Sequence, residues 1–515
     1  MQIKKLGKIF GHFMKIYILI FVSVILYSFI DLKNLLASFI FLNNKSNIGK
    51  DRTDCAKKGN KIIILIPVLR EQEIIIKNLN LFTRLKGNYE LVYITTQREG
   101  YEKVTKLKDL NALKHKINTT ANLDNFVEHF VGFFPHSLAI KLYKEKNRFD
   151  NYNDYWDHIL NTYKNLKNTA ELIDDYIKNE KVRCKHVRRI HYPYVDGLMS
   201  HQLNYASKEL LKTHNTESTY VLIYNADSVV ENRVLDKFFE KISSGETVLM
   251  QSSLFLENYF SFSSNLRGSI LKCIALAQSR WTLIHEMSRI NRQYKGGIRS
   301  IYESAHVVGH GTCIRLDVLF DVGGFPEIFT NEDLPLGYFL SLAGKKICLI
   351  PILENSESPT TIKSVITQYT TWFYGAMDYF SYYNHAVQNY NTSKTKALLW
   401  AIVNSIRAML WFLSPWIWVF LIFTPLFWRH YLLSFFAAGI FLFHTIFIYW
   451  ITIEFISNNP QTIGKTIFPI KFEKGLLIAI PLSYIIWGIG PVRSVFFRIK
   501  ANLAGTKVDK NKTER

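Results

Sequence analysis

Long uncharged runs constrain this chain more than any other feature. Near the C-terminus, Ala408 to Trp428, Tyr431 to Ile453 and Gly475 to Val492 contain no Asp, Glu, Lys or Arg. A helix needs roughly 20 apolar residues to cross the hydrocarbon core of a bilayer, so each run has the length of a membrane span. Trp411, Trp416, Trp418, Trp428, Trp450 and Trp487 lie in or beside these runs, as expected for side chains that meet a lipid interface. Three such runs so close together do not suit the buried helices of a soluble protein. Pro415, Pro425 and Pro481 are expected to kink or delimit the helices. At the other end, Lys4, Lys5, Lys8 and Lys15 precede an uncharged run from Ile16 to Ile30. Asp31 and Lys33 then interrupt it, and Asn34 to Asn44 is uncharged again. The first run is short for a span. No small-x-small cleavage site follows, which favours an uncleaved anchor over a signal peptide.

The chain has 515 residues, of which 48% are hydrophobic and 15% aromatic, too apolar for disorder. The formal net charge is +21. Its basic residues are diluted along the chain and accompany lipid-length runs, so anionic headgroups explain them better than nucleic acid does. After Val492 the tail is basic, with Arg493, Arg498, Lys500, Lys507, Lys510, Lys512 and Arg515. Cys55, Cys184, Cys273, Cys313 and Cys348 form no Cys-x-x-Cys pair. That excludes a disulfide scaffold and a zinc site of the usual spacing, leaving buried or free thiols.

Between anchor and helices the pattern alternates. Lys61 to Pro67 is a continuous apolar run of strand length, as in a buried parallel strand. Ile74 to Leu85 has helical spacing, and Glu90 to Thr95 reads as a second strand. His186 to Tyr192 and Tyr220 to Tyr224 are further strands, with helical Leu198 to Leu211 between them. This order predicts an α/β domain with a mostly parallel sheet. Ligands in such domains bind beyond the carboxyl ends of the strands. The Lys-, Asn- and Tyr-rich stretch at about 100–183 is expected to be a helical insertion, larger than a crossover requires.

Three constellations could carry chemistry. Asn225-Ala226-Asp227-Ser228 follows the Tyr220–Tyr224 strand. A carboxylate there can hold a divalent cation together with substrate phosphates, or simply turn the chain or cap the next helix. Val308-Gly309-His310-Gly311-Thr312 leads through Gly323-Gly324-Phe325 to Asn331-Glu332-Asp333-Leu334. The glycines beside His310 would let a ligand approach the backbone. Glu332 and Asp333 open a helical run through Leu342, as dipole-compensating acids or as a general base. Gln368-Tyr369-Thr370-Thr371-Trp372 precedes the membrane block and on its own would read as an interfacial helix.

Taken together and in this order, these residues resemble the membrane-bound family 2 glycosyltransferases, related to cellulose, chitin and hyaluronan synthases. Ile66-Pro67-Val68-Leu69-Arg70-Glu71 is similar to the family's Pro-Val-x-Asn-Glu strand end. Gly197 through Gln202-Leu203-Asn204-Tyr205-Ala206 is similar to its Gly-Lys-x-x-Ala-Leu-Asn segment, and Asn225-Ala226-Asp227 to its Asp-x-Asp. Its Gly-x-Gly, Gly-Gly-Phe and Thr-Glu-Asp signatures match Gly309–Gly311, Gly323–Phe325 and Asn331–Asp333. Asp333-Leu334-Pro335-Leu336-Gly337 repeats its Asp-Leu-x-Leu-Gly. The chain departs from the pattern at Asn225, at Thr95-Thr96-Gln97-Arg98-Glu99 where an acidic pair is usual, and at Leu198-Met199-Ser200-His201, which lacks the family lysine. Thr371 replaces the Arg of Gln-x-x-Arg-Trp, and a Thr is not a bidentate phosphate partner. Processive extrusion is therefore not expected.

The resemblance implies an α/β GT-A catalytic domain, Rossmann-like with a mostly parallel sheet, carrying an N-terminal anchor and C-terminal transmembrane helices. The expected limits are 1–45 for the anchor, 58–358 for the GT-A domain with its insertion at about 100–183, 359–397 for an interfacial segment, 398–500 for transmembrane helices and 501–515 for a basic tail. The implied reaction is inverting transfer of a hexosyl- or N-acetylhexosaminyl-type sugar from a nucleotide-diphosphate donor to a glycan or lipid-linked acceptor. Asp333 would be the catalytic base. Glu71, Glu99, Asn225, Asp227, Gly309, His310 and Gly311 would bind the donor, with Mn²⁺ or Mg²⁺ on Asp227. Glu332, Gln368 and Trp372 would line the acceptor side. The rival is a catalytically inactive relative acting as a membrane scaffold. An inner-membrane location with a cytoplasmic catalytic face is expected, although both basic termini favour the cytoplasmic side themselves. It requires an external N-terminus or a second pass at Asn34–Asn44.

Overall fold

The computed structural model describes residues 2–46, 59–118, 122–130, 132–179, 186–297, 301–305, 307–459 and 470–505. Cys55, Cys184 and the tail beyond residue 505 lie outside the described residues. The contacts divide the chain into two compact units, one of residues 59–228 and one of residues 1–58 with 229–515.

The first unit is built on four parallel strands in the order β3-β2-β1-β4, namely β1 (Lys61–Pro67), β2 (Tyr89–Thr96), β3 (Val187–Tyr192) and β4 (Thr219–Ile223). β1 pairs on both sides, so its residues from Ile62 to Ile66 are buried, which is why it reads as an unbroken apolar run. β3 pairs with β2 and carries Arg188, Arg189 and His191 among its apolar residues. Parallel neighbours need crossovers. These are the helices Ile75–Phe82 and Met199–Leu211, at the positions that the spacing predicts. The insertion is helical as expected. Phe126, Phe130, Phe134, Tyr155, Trp156 and Ile159 pack into a core of its own.

The second unit contains β5 (Val248–Met250), which pairs antiparallel with β7 (Thr312–Arg315) and parallel with β8 (Cys348–Leu349). The short strands β6 (Ser253–Leu254) and β9 (Glu354–Asn355) pair in parallel. Cys273, Cys313 and Cys348 are buried free thiols, as the spacing implies.

Among the described residues, four helices are long and apolar enough to cross a membrane, spanning Met14–Asn43, Lys394–Phe427, Tyr431–Asn458 and Lys474–Leu503. The N-terminal segment differs from the two interrupted runs seen in the sequence, being one continuous helix, Gln2–Ser46. A second pass at Asn34–Asn44 is thereby excluded. Polar residues just beyond the expected break meet protein partners. The Asn34 carbonyl accepts from Ser288 Oγ at 3.1 Å, and Ser38 Oγ donates to the Leu283 carbonyl at 2.6 Å. Pro415, Pro425 and Pro481 all lie inside helices, so none delimits one.

Candidate active site

In the unit of residues 59–228, the candidate donor residues follow the strand ends. Asn225 and Asp227 sit in a turn just after β4. The turn is closed by two bonds, Asn225 N–H to Ser228 Oγ and Ser228 N–H to the Asn225 carbonyl, each 3.1 Å. Behind it, Asn78 Nδ2 donates to the Ala226 carbonyl at 2.8 Å, and the Tyr93 hydroxyl donates to Asn78 Oδ1 at 2.6 Å. Asn78 and Tyr93 are buried. This brace went unnoticed in the sequence, where Asn78 is one polar residue on a helix and Tyr93 one aromatic in a strand.

Beyond β1, Arg70 takes φ 57°. That left-handed conformation suits Asn better than Arg, and the resembling motif has Asn there. The Glu71 N–H donates to Thr169 Oγ1 at 3.0 Å. Glu99 Oε1 accepts from Gln72 Nε2 at 3.0 Å and from both Thr169 N–H and Oγ1 at 2.9 Å. Glu71, Gln72 and Glu99 are thus brought together through Thr169. Among the described residues, no three His, Cys, Asp or Glu side chains gather to cage a metal. A single half-buried carboxylate at Asp227, braced from behind, fits a cation that takes most of its ligands from substrate phosphates and water.

In the other unit, His310 is locked by a buried carboxylate. Its Nδ1 lies 2.9 Å from Glu354 Oε2 and 3.0 Å from Ser253 Oγ, and Ser253 Oγ donates to Glu354 Oε2 at 3.1 Å. The register of β6 with β9 sets Ser253 opposite Glu354. Gly311 differs from its sequence reading. A Cβ there would stand 2.2 Å from the Gln251 carbonyl oxygen, and φ is 71°. What approaches this glycine is the chain's own backbone, whose Gln251 N–H bonds back to the Gly311 carbonyl at 2.8 Å. Gly323 and Gly324 are both left-handed and end the helix Leu316–Asp321.

Asp333 is the first residue of the helix Asp333–Leu342, as predicted, and Glu332 beside it is buried. Asp333 Oδ1 accepts from the Leu334 N–H at 2.7 Å. Nearby, Asn331 Nδ2 donates to the Thr371 carbonyl at 3.3 Å, joining this loop to the helix Ile362–Met377. On that helix Gln368 Oε1 accepts from Gln278 Nε2 at 2.6 Å, and the Trp372 ring lies 5.9 Å from Phe255. The Thr371 hydroxyl donates to its own helix, at the Thr367 carbonyl, 3.0 Å away.

Glu286 was absent from the sequence candidates. It lies in a π-helical turn, Thr282–Met287, and is buried with Oε1 lacking a hydrogen-bond partner. Burial pushes its carboxyl up to about 7. The Asp333 carboxylate adds to the rise, while Ser252, His310 and Arg289 oppose it. Glu286 therefore feels the charge of both His310 and Asp333. A π-turn at this point was the only local oddity, and nothing in Ile284-His285-Glu286-Met287 announces it; such turns are frequent at functional sites.

The family model described as glycosyl transferase family group 2 matches residues 220–453. No curated protein matches the chain. Among solved structures, the chain is similar to the mannosyltransferase PcManGT from Pyrobaculum calidifontis in complex with GDP-Man and Mn²⁺. The identity is 11% and the TM-score 0.42, over 93% of this chain and 98% of that one. It is also similar to S. aureus TarS 1-349, at 11% identity and a TM-score of 0.34, over 88% of this chain and 98% of that one. The resemblance read from the motifs is borne out by the family model over residues 220–453, which carry the sequence pattern of glycosyl transferase family group 2.

Proposed function

We propose that this protein transfers a hexosyl- or N-acetylhexosaminyl-type sugar, with inversion, from a nucleotide-diphosphate donor to an acceptor hydroxyl on a glycan or lipid-linked substrate at a membrane. The observation that carries the reading is Asp333 at the first turn of its helix, in the family-matching stretch, sharing an electrostatic cluster with Glu286 and His310. A carboxylate in such a cluster can take the proton of an attacking hydroxyl. His310, held by Glu354 and Ser253, borders the sugar with Gly309, while Glu71, Glu99 and Asn225 contact the donor. Glu332, Gln368 and Trp372 line the acceptor side. Mn²⁺ or Mg²⁺ on Asp227, when bound, supplies charge neutralisation for the departing diphosphate.

Transfer of one or a few sugars, rather than extrusion, is supported by Thr371. Its hydroxyl is turned back into its own helix and offers no forked donor to a phosphate. Four candidate spans support membrane residence, and a cytoplasmic catalytic face in an inner membrane suits a cytosolic donor. With one N-terminal helix and three C-terminal ones, that orientation leaves both termini outside. Protease accessibility in sealed vesicles tests it, since cleavage of the catalytic region from the external side would reverse it. For the reaction itself, purified protein is offered a panel of nucleotide sugars with Mn²⁺ or Mg²⁺, and released nucleotide is measured. Acceptor-dependent release is expected with at least one donor. Silence across the panel would favour the scaffold reading.

A further inference from the structure

Arg280, Arg289, Arg292 and Arg407 converge where two of the apolar runs stop. All four act on the charge of His285. Arg407 is the last charged residue before the uncharged run Ala408–Trp428, and Asp31 follows directly on Ile16–Ile30. Arg280, Arg289 and Arg292 come from the helix–π-turn–helix segment that packs on the N-terminal helix. There Tyr27 stacks on His285 with ring centroids 6.5 Å apart, and Arg292 Nη1 reaches Asn34 Oδ1 at 3.0 Å.

The charges do not balance inside the protein. Glu303 is paired twice, with Arg292 Nε at 2.9 Å and with Arg407 Nη2 at 2.5 Å. Arg280 and Arg289 form no ion pair among the described residues, although Arg289 bonds Tyr379 and feels the charges of Glu303 and Glu286. Arg280 Nη1 is buried without a hydrogen-bond partner, its guanidinium lying 5.3 Å from the Tyr449 ring. Asp31 is near Arg280, yet its Oδ1 is likewise buried without a hydrogen-bond partner. Burial, then repulsion from Arg407, lowers the Arg289 guanidinium to about 10. Burial and the four arginines together push His285 down to about 3, so it stays neutral and adds no further cation. Guanidinium groups without an ion pair suit an anion with several oxygens, and arginine forks match phosphate.

We propose that this cluster binds the phosphate of an anionic membrane lipid, with Arg280 and Arg289 as its principal donors. Basic pockets between membrane helices are suited to such headgroups, and the aromatic Tyr27 and Trp281 beside His285 suit the interface. The proposal does not depend on the sugar-transfer reading, because its test uses neither donor nor turnover.

The full chain is reconstituted in nanodiscs of phosphatidylcholine alone, or of phosphatidylcholine mixed with phosphatidylglycerol, and its thermal midpoint is compared. A ligand that binds only the folded state raises that midpoint. The wild type is expected to melt several degrees higher with phosphatidylglycerol, and Arg280→Gln and Arg289→Gln to lose most of that rise. A rise that persists in both variants would mean diffuse attraction of basic surfaces and would overturn the site. No rise in the wild type would also overturn it. Inorganic phosphate added to phosphatidylcholine discs distinguishes the sources, since an equal rise there would assign the cluster to free phosphate and overturn the lipid. Should the variants fail to fold, native mass spectrometry of the wild type decides. Retention of phosphatidylglycerol about tenfold above phosphatidylcholine, or ~1.4 kcal/mol, is expected, and equal retention contradicts the proposal.

Discussion

Glu99 and Glu286 are both buried, one in each unit, yet they are treated oppositely. Glu99 accepts three hydrogen bonds on a single oxygen and ties the ends of β1 and β2 to the insertion. Glu286 has an oxygen with no partner, and burial with Asp333 close by holds its carboxyl near neutrality. A satisfied carboxylate fixes geometry, whereas an unsatisfied one keeps a proton that chemistry can use. The same contrast separates the regions around them. The turn of Asp227 is braced by neutral hydrogen bonds through Asn78 and Tyr93, while Asp333 sits among groups that sense each other's charge.

The contrast can be broken in several ways. Removing divalent cations with excess chelator is expected to take transfer down to background, and added Mn²⁺ or Mg²⁺ to restore it. Full activity in chelator would strike Asp227 from the donor side. Glu354→Gln should cost about tenfold in kcat/KM, or ~1.4 kcal/mol, because it weakens the hold on His310. An unchanged value would make that pair merely structural. Glu286→Gln tests the titration. Below about pH 7 the wild-type carboxyl is protonated, and above it a charge appears beside Asp333. Variant and wild type should agree at pH 6 and diverge by roughly threefold above pH 8, a modest effect for a group acting on a base. Parallel pH profiles would remove Glu286 from the site. Glu99→Gln should be mildest for catalysis, keeping kcat within about twofold while costing about 1 kcal/mol of stability through weaker acceptance from Thr169. A large kcat loss with intact stability would give Glu99 a chemical role instead.

The sequence was most legible where one local pattern decides the structure. Lys61–Pro67 is doubly flanked, so its burial writes itself as an unbroken apolar run. The helix from Asp333 to Leu342 announces its start with an acid. What could not be read depends on distant partners. Glu354 occupies a two-residue strand, too short for periodicity, and matters because Ser253 and His310 arrive from elsewhere. The break expected at Asp31 and Lys33 is absent for the same reason, since one helix runs unbroken past them. The neighbouring Asn34 meets Ser288 and Arg292, contacts that no local pattern announces.

The proposed reaction rests on Asp333 as the group that accepts the acceptor proton. The most direct measurement is donor affinity and turnover in one preparation of Asp333→Asn, beside wild type, with the productive nucleotide sugar. Turnover should fall by about 10²- to 10⁴-fold while donor affinity stays within about twofold. Turnover at the wild-type rate would contradict the assignment.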